Sequence, residues 1–285
     1  MITEAQFQNE LQLIIVNAIR EDVGPGDYSS LACIPESAQG KAKLLVKDNG
    51  IIAGVAFAKM VFQYVDAGLI VENFIEDGAQ VKYGDIVFHV SGSSQSILKA
   101  ERLVLNAMQR MSAIATKTNS YVQLLEGTTT KILDTRKTTP GFRACEKWAV
   151  KIGGGENHRF ALYDMVMLKD NHNDFVGGIT PAIAKTKAFL KDKQLDLKII
   201  VEARNLKEVE EILQSEGVYR ILLDNLDYET TKKAVKMIGT QCLTESSGNI
   251  NEKTIRHYAE CGVNYISSGA LTHSVYNMDL SLKAL

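Results

Sequence analysis

From Thr130 onward the chain alternates short apolar runs with helical stretches, and no other feature restricts its fold as strongly. Strand candidates fall at residues 131–134, 165–169, 198–202, 220–224, 241–245 and 264–267. Helical stretches lie between them, near 142–152, 181–191, 206–214, 228–238 and 252–261. Apolar strands joined by crossover helices argue for a parallel sheet covered by helices. Six such units, without a dinucleotide-type glycine fingerprint after the first strand, favour a (β/α) barrel over a doubly wound sheet.

Each of these strands closes on polar residues. In order they are Asp134-Thr-Arg-Lys137, Lys169-Asp-Asn-His172, Glu202, Asp224-Asn225, Glu245-Ser-Ser-Gly248 and Ser267-Ser-Gly269. A parallel barrel opens all such ends onto one face, where barrel enzymes place their active sites. Cations come from the first two units and the loop Gly153-Gly-Gly-Glu-Asn-His-Arg159, and they include Arg136, Lys137, His158, Arg159, Lys169 and His172. They sit among the hydroxyls of Thr138 and Thr139. Such a cluster suits a small, multiply anionic ligand such as a dicarboxylate or a phosphate. A solvated basic face would need neither the hydroxyls nor a triple-glycine turn.

Glu202 and Asp224 are candidates to hold a hydrated Mg²⁺, the alternative being that they accept bonds from barrel lysines. Ser247-Gly248 and Ser268-Gly269 are placed where backbone amides can cradle a phosphate, with a plain tight turn as the alternative. Two anionic ligands meeting in one pocket fit glycosyl transfer from a phosphorylated sugar. That chemistry asks for positioning and charge stabilisation rather than covalent work by the protein.

The first part of the chain reads differently. Thr3 and Gln6 form a capping box ahead of an amphipathic helix that stops before Gly24-Pro-Gly26, and 21–30 reads as a turn. Strands are expected at 42–47, 51–55, 69–74, 79–82 and 85–90 with a helix at 57–65, giving a small α+β unit. A long helix follows at 97–125, and on spacing alone its Arg102 and Arg110 read as salt-bridged surface residues. The domain boundary is placed here, giving 1–115 and 116–285, with a return of the chain to the first domain at the C-terminus left open.

Bulk properties narrow the function. A net charge of −2 over 285 residues offers no field for nucleic acid or an anionic membrane. The four cysteines are scattered without a Cys-x-x-Cys pair, so buried free thiols are expected. Neither a secretion signal nor a run of ~18 apolar residues is present, and a cytoplasmic protein is expected.

The segments Asp134-Thr-Arg-Lys-Thr-Thr-Pro-Gly-Phe-Arg143, Gly153–Arg159, Tyr163-Asp-Met-Val-Met-Leu-Lys-Asp-Asn-His172, Leu223-Asp-Asn225 and Gly269-Ala-Leu-Thr-His-Ser274 resemble the quinolinate phosphoribosyltransferases. The resemblance runs from Glu21 to Leu282. It implies an N-terminal α/β sandwich plus a C-terminal open (β/α) barrel. It also implies conversion of quinolinate and phosphoribosyl pyrophosphate to nicotinate mononucleotide, pyrophosphate and CO₂ with Mg²⁺, in de novo NAD synthesis. By the same resemblance Arg136, Lys137, Thr138, His158, Arg159 and Lys169 bind quinolinate and neighbouring phosphate groups. Lys137, Lys169, Glu202 and Asp224 are the expected catalytic set, with Glu202 and Asp224 near the ribose and metal. Ser247, Gly248, Asn249, Gly269 and His273 form the phosphate-binding end.

Arg102, in the family's Glu-Arg segment, is expected to reach a partner subunit's site, which replaces the reading from spacing. A homodimer with shared sites, or a hexamer built from such dimers, follows. The chain departs from the family pattern at Ile200 and Arg204 flanking Glu202, at Ser246-Ser-Gly-Asn249 in place of Ala-Ser-Gly-Gly, and at 173–180. Two other classes compete: a barrel lyase or aldolase with Lys137 or Lys169 as a Schiff-base amine, and a non-catalytic anion-binding barrel.

Overall fold

The structure, a computed structural model, describes residues 2–285. In chain order its elements begin α1 (Glu4–Val23), α2 (Tyr28–Cys33), β1 (Gln39–Val46), β2 (Gly50–Ile51), α3 (Val55–Val65), β3 (Ile70–Asn73), β4 (Gln80–Val81), β5 (Ile86–Ser93) and α4 (Ser94–Leu124). They continue with β6 (Lys131–Leu133), α5 (Arg143–Ile152), β7 (Val166–Leu168), α6 (Asp170–Val176), α7 (Ile179–Asp192), β8 (Ile199–Ala203), α8 (Leu206–Leu213) and β9 (Arg220–Asp224). The last are α9 (Tyr228–Ile238), β10 (Leu243–Ser247), α10 (Ile255–Glu260), β11 (Tyr265–Ser267), α11 (Ala270–His273) and β12 (Leu280–Ala284). No helix among the described residues is long and apolar enough to cross a membrane.

The chain forms two compact units, neither of them continuous. The first gathers Thr3–Asn119, Lys137–Gly154 and Leu271–Leu285. Its antiparallel sheet has the order β12-β1-β5-β3. Alternation along β1 buries Ala42, Leu44 and Val46, which is what an antiparallel sheet with one covered face requires. The α3 helix starts at Gly54, whose left-handed backbone offers no cap, so Asp77 caps it from outside: its carboxylate accepts from Val55 N at 2.9 Å and Ala56 N at 3.1 Å. In the α5 helix, Trp148 packs edge-on against Phe7 of α1 at 5.8 Å. Where that helix ends, a side chain on Gly153 would overlap the backbone oxygen of Ala115, so only glycine fits.

Two expectations change in this unit. The segment 51–55 pairs as a strand only at Gly50–Ile51, because Ala53 N turns instead to the Ser112 hydroxyl at 2.9 Å. The 21–30 turn gives way at Tyr28 to helix α2, capped by Asp27, whose carboxylate accepts from Ser30 N at 3.2 Å.

The second unit gathers Ser120–Arg136 and Gly155–Ala270. Its six parallel strands have the order β6-β11-β10-β9-β8-β7, and β6 and β7 are left as edges, so the barrel is open. The β8 strand is buried along its whole length, as a strand covered on both faces should be. Two local expectations shift. The residues after Lys169 form helix α6, an element absent from the expected set of helices. The fifth strand runs two residues further than its sequence suggested, which moves Glu245 from the strand end into the interior.

Candidate active site

In the parallel unit the Gly-rich loop is anchored first. Asp134, fully buried after β6, accepts from His158 N at 2.8 Å and from Asn157 Nδ2 at 2.6 Å. Asp164 closes the next turn by accepting from Phe160 N at 2.9 Å and Ala161 N at 2.8 Å. These carboxylate contacts set the path of the chain on either side of Arg159. In the sequence Asp134 reads only as the first of the polar strand ends and Asp164 only as part of the segment 163–172, because a structural aspartate carries no spacing signal of its own.

Arg159 is itself buried, and its guanidinium donates to Met165 O at 3.2 Å. Burial first, and then the charge of Arg136, hold the Arg159 guanidinium below its ordinary pKa. Two arginines are thus kept close enough to repel each other, an arrangement that an anion with two carboxylates would relieve. His158 is almost fully buried; its Nδ1 accepts from Arg159 N at 2.6 Å, and its Nε2 lies 3.3 Å from Glu245.

A second group lies at the ends of β8, β9 and β10. Burial, followed by the charge of Asp224, raises the pKa of Glu202, while Lys169, with Nζ at 3.9 Å, opposes the rise. Asp224 accepts from Ser247 Oγ at 2.7 Å and from Asn225 Nδ2 at 2.9 Å. Asn249 Nδ2 reaches Asn225 Oδ1 at 3.3 Å, and Asn225 and Asn249 both have left-handed backbones. Gly248 is also left-handed, and a side chain there would overlap the Asn225 side-chain oxygen. In the next connection, Ser268 N donates to Leu133 O at 3.0 Å, fixing the approach to Gly269.

The remaining sequence-derived residues belong to the antiparallel unit. The loop carrying Lys137 and Thr138 is held by Thr272 Oγ1, which donates to Lys137 O at 2.8 Å, and by Arg143 Nε, which donates to Thr138 Oγ1 at 2.9 Å. Glu146, fully buried, accepts from Thr139 Oγ1 at 2.7 Å and from Arg110 Nη2 at 2.9 Å, and Arg110 also donates to the backbone oxygen of Thr272. Arg110 is therefore an internal brace and not a surface ion pair. Arg102 is exposed on α4 and makes no hydrogen bond or ion pair with the described residues. The His273 ring contacts Ser274 Oγ at 2.7 Å.

No group of three or more His, Cys, Asp or Glu side chains among the described residues could enclose a metal. The paired carboxylates Glu202 and Asp224 still suit a cation that keeps several waters and shares its shell with substrate phosphates, which is the habit of Mg²⁺.

Comparison with known proteins places the chain in a family. Residues 27–112 match the family model described as quinolinate phosphoribosyl transferase, N-terminal domain, and residues 114–283 match the corresponding C-terminal domain. The chain is 44% identical to a chloroplastic nicotinate-nucleotide pyrophosphorylase [carboxylating] of Oryza sativa subsp. japonica, over 96% of this chain and 77% of that protein. It is 37% identical to a probable nicotinate-nucleotide pyrophosphorylase [carboxylating] of Bacillus subtilis (strain 168), over 96% and 94% of the two chains. The crystal structure of NadC from Streptococcus pyogenes superposes with a TM-score of 0.89 at 39% identity, covering 100% of this chain and 99% of that one.

Proposed function

The chain belongs to the quinolinate phosphoribosyltransferase family, and we propose how its residues divide the work of that family's reaction. The enzyme is a decarboxylating transferase of NAD biosynthesis: it joins quinolinate to the ribose of phosphoribosyl pyrophosphate and releases nicotinate mononucleotide, pyrophosphate and CO₂.

The observation that supports the assignment is a buried Arg159 whose guanidinium pKa is lowered first by burial and then by the charge of Arg136, so that two guanidinium groups lie within reach of each other's charge. Quinolinate brings two adjacent carboxylates, and two guanidinium forks can meet them with paired, charge-assisted bonds. By the family resemblance, Lys169 completes the anion-binding set of the parallel unit, and Lys137 and Thr138 are the anion-binding residues of the antiparallel one. Glu202 and Asp224 steady the oxocarbenium-like ribose and its hydroxyls, since a carboxylate pair favours positive charge developing at the anomeric carbon. Ser247, Gly248, Asn249 and Gly269 take phosphate groups in the parallel unit, and His273 of the antiparallel unit is a further phosphate-binding residue by the same resemblance.

The pyridine nitrogen attacks the anomeric carbon as the bond to pyrophosphate breaks, leaving a cationic ring. The carboxylate next to that nitrogen then departs as CO₂; the electron pair of the broken C–C bond stays on the ring carbon, which takes up a proton. Mg²⁺, when bound through Glu202 and Asp224, supplies positive charge to the pyrophosphate.

The exposed, unpaired Arg102 supports a homodimer in which this side chain serves the neighbouring copy's site. The deciding experiment is an assay with quinolinate, phosphoribosyl pyrophosphate and Mg²⁺ that follows nicotinate mononucleotide and CO₂ together, with nicotinate in parallel. Equal release of both products, lost with chelator and absent with nicotinate, is expected. Formation of product from nicotinate, or of nucleotide without CO₂, would overturn the division of roles.

A further inference from the structure

Glu245 lies in the middle of β10, level with Leu222 of β9 and Tyr265 of β11, and is completely buried. Nothing in the reaction calls for a carboxylate there. Its Oε2 accepts from Arg220 Nη1 at 2.6 Å and stands 3.3 Å from His158 Nε2. Arg220, the first residue of β9, is also buried, and its guanidinium stacks 4.1 Å over the Tyr265 ring. A cation and an anion are therefore locked together inside the sheet, with the anion directed at one ring nitrogen of His158.

The other ring nitrogen is equally informative. His158 Nδ1 accepts the backbone N–H of Arg159 at 2.6 Å, and an acceptor nitrogen carries no proton. The ring proton then sits on Nε2, facing Glu245. A carboxylate is the partner that best holds that tautomer, because it only accepts. The ring is thereby held at Nδ1 by the peptide that starts Arg159, while its Nε2 faces the Glu245 carboxylate in the barrel interior at 3.3 Å as a charge contact. With the backbone N–H of His158 bound to Asp134 at 2.8 Å, the peptide groups on both sides of His158 are held.

We propose that Glu245 is a positioning residue for substrate recognition: through the His158 ring it sets the backbone at Arg159 and so aims that guanidinium at the pyridine dicarboxylate. His158, which the resemblance makes a substrate-binding residue, thereby also acts through Arg159. The arrangement parallels metal-bound histidines, whose outer carboxylate fixes ring orientation, except that here the oriented group is an arginine peptide. Burial opposes the charge on Glu245, but the adjoining His158 ring and the Arg220 guanidinium outweigh it and lower the carboxyl pKa, which keeps the anion available to the ring. The inference rests on the transferase reading for its substrate and on the tautomer alone for its geometry.

Two readouts separate these. In the substrate-free enzyme labelled with ¹⁵N-histidine, the His158 signals, identified by their loss in His158→Gln, are expected to show protonated Nε2 and unprotonated Nδ1. In Glu245→Gln that pattern is expected to break down into mixed tautomers. In steady-state assays Glu245→Gln raises KM for quinolinate about ten-fold, the scale on which misorientation of a binding group acts, while KM for phosphoribosyl pyrophosphate stays within about two-fold.

Because Glu245→Gln leaves Arg220 buried without its counter-charge, the double variant Glu245→Gln/Arg220→Gln is measured beside it. It is expected to recover the thermal midpoint and to keep the quinolinate defect. A wild-type tautomer pattern in Glu245→Gln, or recovery of quinolinate KM in the double variant, would overturn the proposal. Failure of the wild type to make nucleotide would instead strike the transferase reading and leave the tautomer result standing.

Discussion

The Ser247 hydroxyl donates to Asp224 Oδ1 at 2.7 Å, tying together the ends of two neighbouring parallel strands. Asn225 binds the other carboxylate oxygen and, through its own amide oxygen, Asn249. The ribose-side carboxylate and the phosphate loop are therefore one hydrogen-bonded piece.

Gly248 sits inside that piece with a backbone only glycine tolerates easily, and any side chain collides with Asn225. Gly248→Ala should cost about 1–3 kcal/mol of stability, the range for a strained left-handed residue. It should raise KM for phosphoribosyl pyrophosphate far more than KM for quinolinate. Denaturant unfolding and steady-state kinetics check the two halves separately.

Arg136→Lys and Arg159→Lys keep the charge but lose the fork. Each should weaken quinolinate binding by roughly 10- to 100-fold with a smaller effect on kcat, as expected when a paired contact becomes a point contact. Isothermal titration with quinolinate gives the affinity directly. Wild-type affinity in both variants would remove the dicarboxylate clamp.

Glu202 titrates above an ordinary glutamate because of burial and then Asp224. If its ionised form is required, activity falls as pH drops through that raised value, so the acid limb of kcat/KM lies above the usual carboxylate range. In Asp224→Asn one cause of the rise is gone, and the limb of the residual activity should move to lower pH. For stability the sign is the reverse of a salt-bridged acid: the raised carboxyl favours the folded state fully below its unfolded-state pKa, and that advantage is lost as pH rises from there through the folded pKa. A pH–rate profile of both proteins tests the shift.

Glu146 is fully buried and relies on Arg110 for its counter-charge. Arg110→Ala leaves that charge unpaired, at a cost of about 3–5 kcal/mol. Arg110→Met with Glu146→Gln should recover most of the stability but not the placement of the loop holding Lys137 and Thr138. Thermal melts and kcat/KM distinguish the two effects.

Arg102 offers a test by mixing. Arg102→Ala and Lys169→Ala should each be inactive alone. Co-refolded in equal amounts, they should recover about a quarter of wild-type activity, since half the dimers are mixed and each mixed dimer has one intact site. No recovery would place Arg102 in its own chain's site.

Much of the parallel unit was legible because strand and helix periodicities differ and each strand ends in a marked residue. Glu202, Asp224 and Ser247 lie at or beside the strand ends that the sequence assigned them. What escaped is what periodicity does not encode. Glu245 looked like another strand-end acid, but β10 begins two residues late, at Leu243, so the carboxylate turns inward to Arg220. Arg110 looked like a surface cation, because its buried partner Glu146 lies 36 positions away in sequence. Helix α6 was missed since its start depends on His172 Nδ1 accepting from Lys169 N at 3.1 Å, an unusual cap. Asp134 and Asp164 are invisible to composition, because their work is local hydrogen bonding.

The pairing of β1 with β12 reaches further than the sheet it completes. Lys43 stands level with Lys283 and Leu44 with Leu282, so a strand made early in synthesis lacks one neighbour until residues 280–284 have left the ribosome. The parallel unit, whose strands all lie between 131 and 267, has by then its full set of partners. During translation the unfinished antiparallel sheet exposes the open edge of β1, and such an edge is where chaperones and aggregation compete. A stalled or prematurely terminated chain would therefore fail first in its N-terminal half, far from the missing residues.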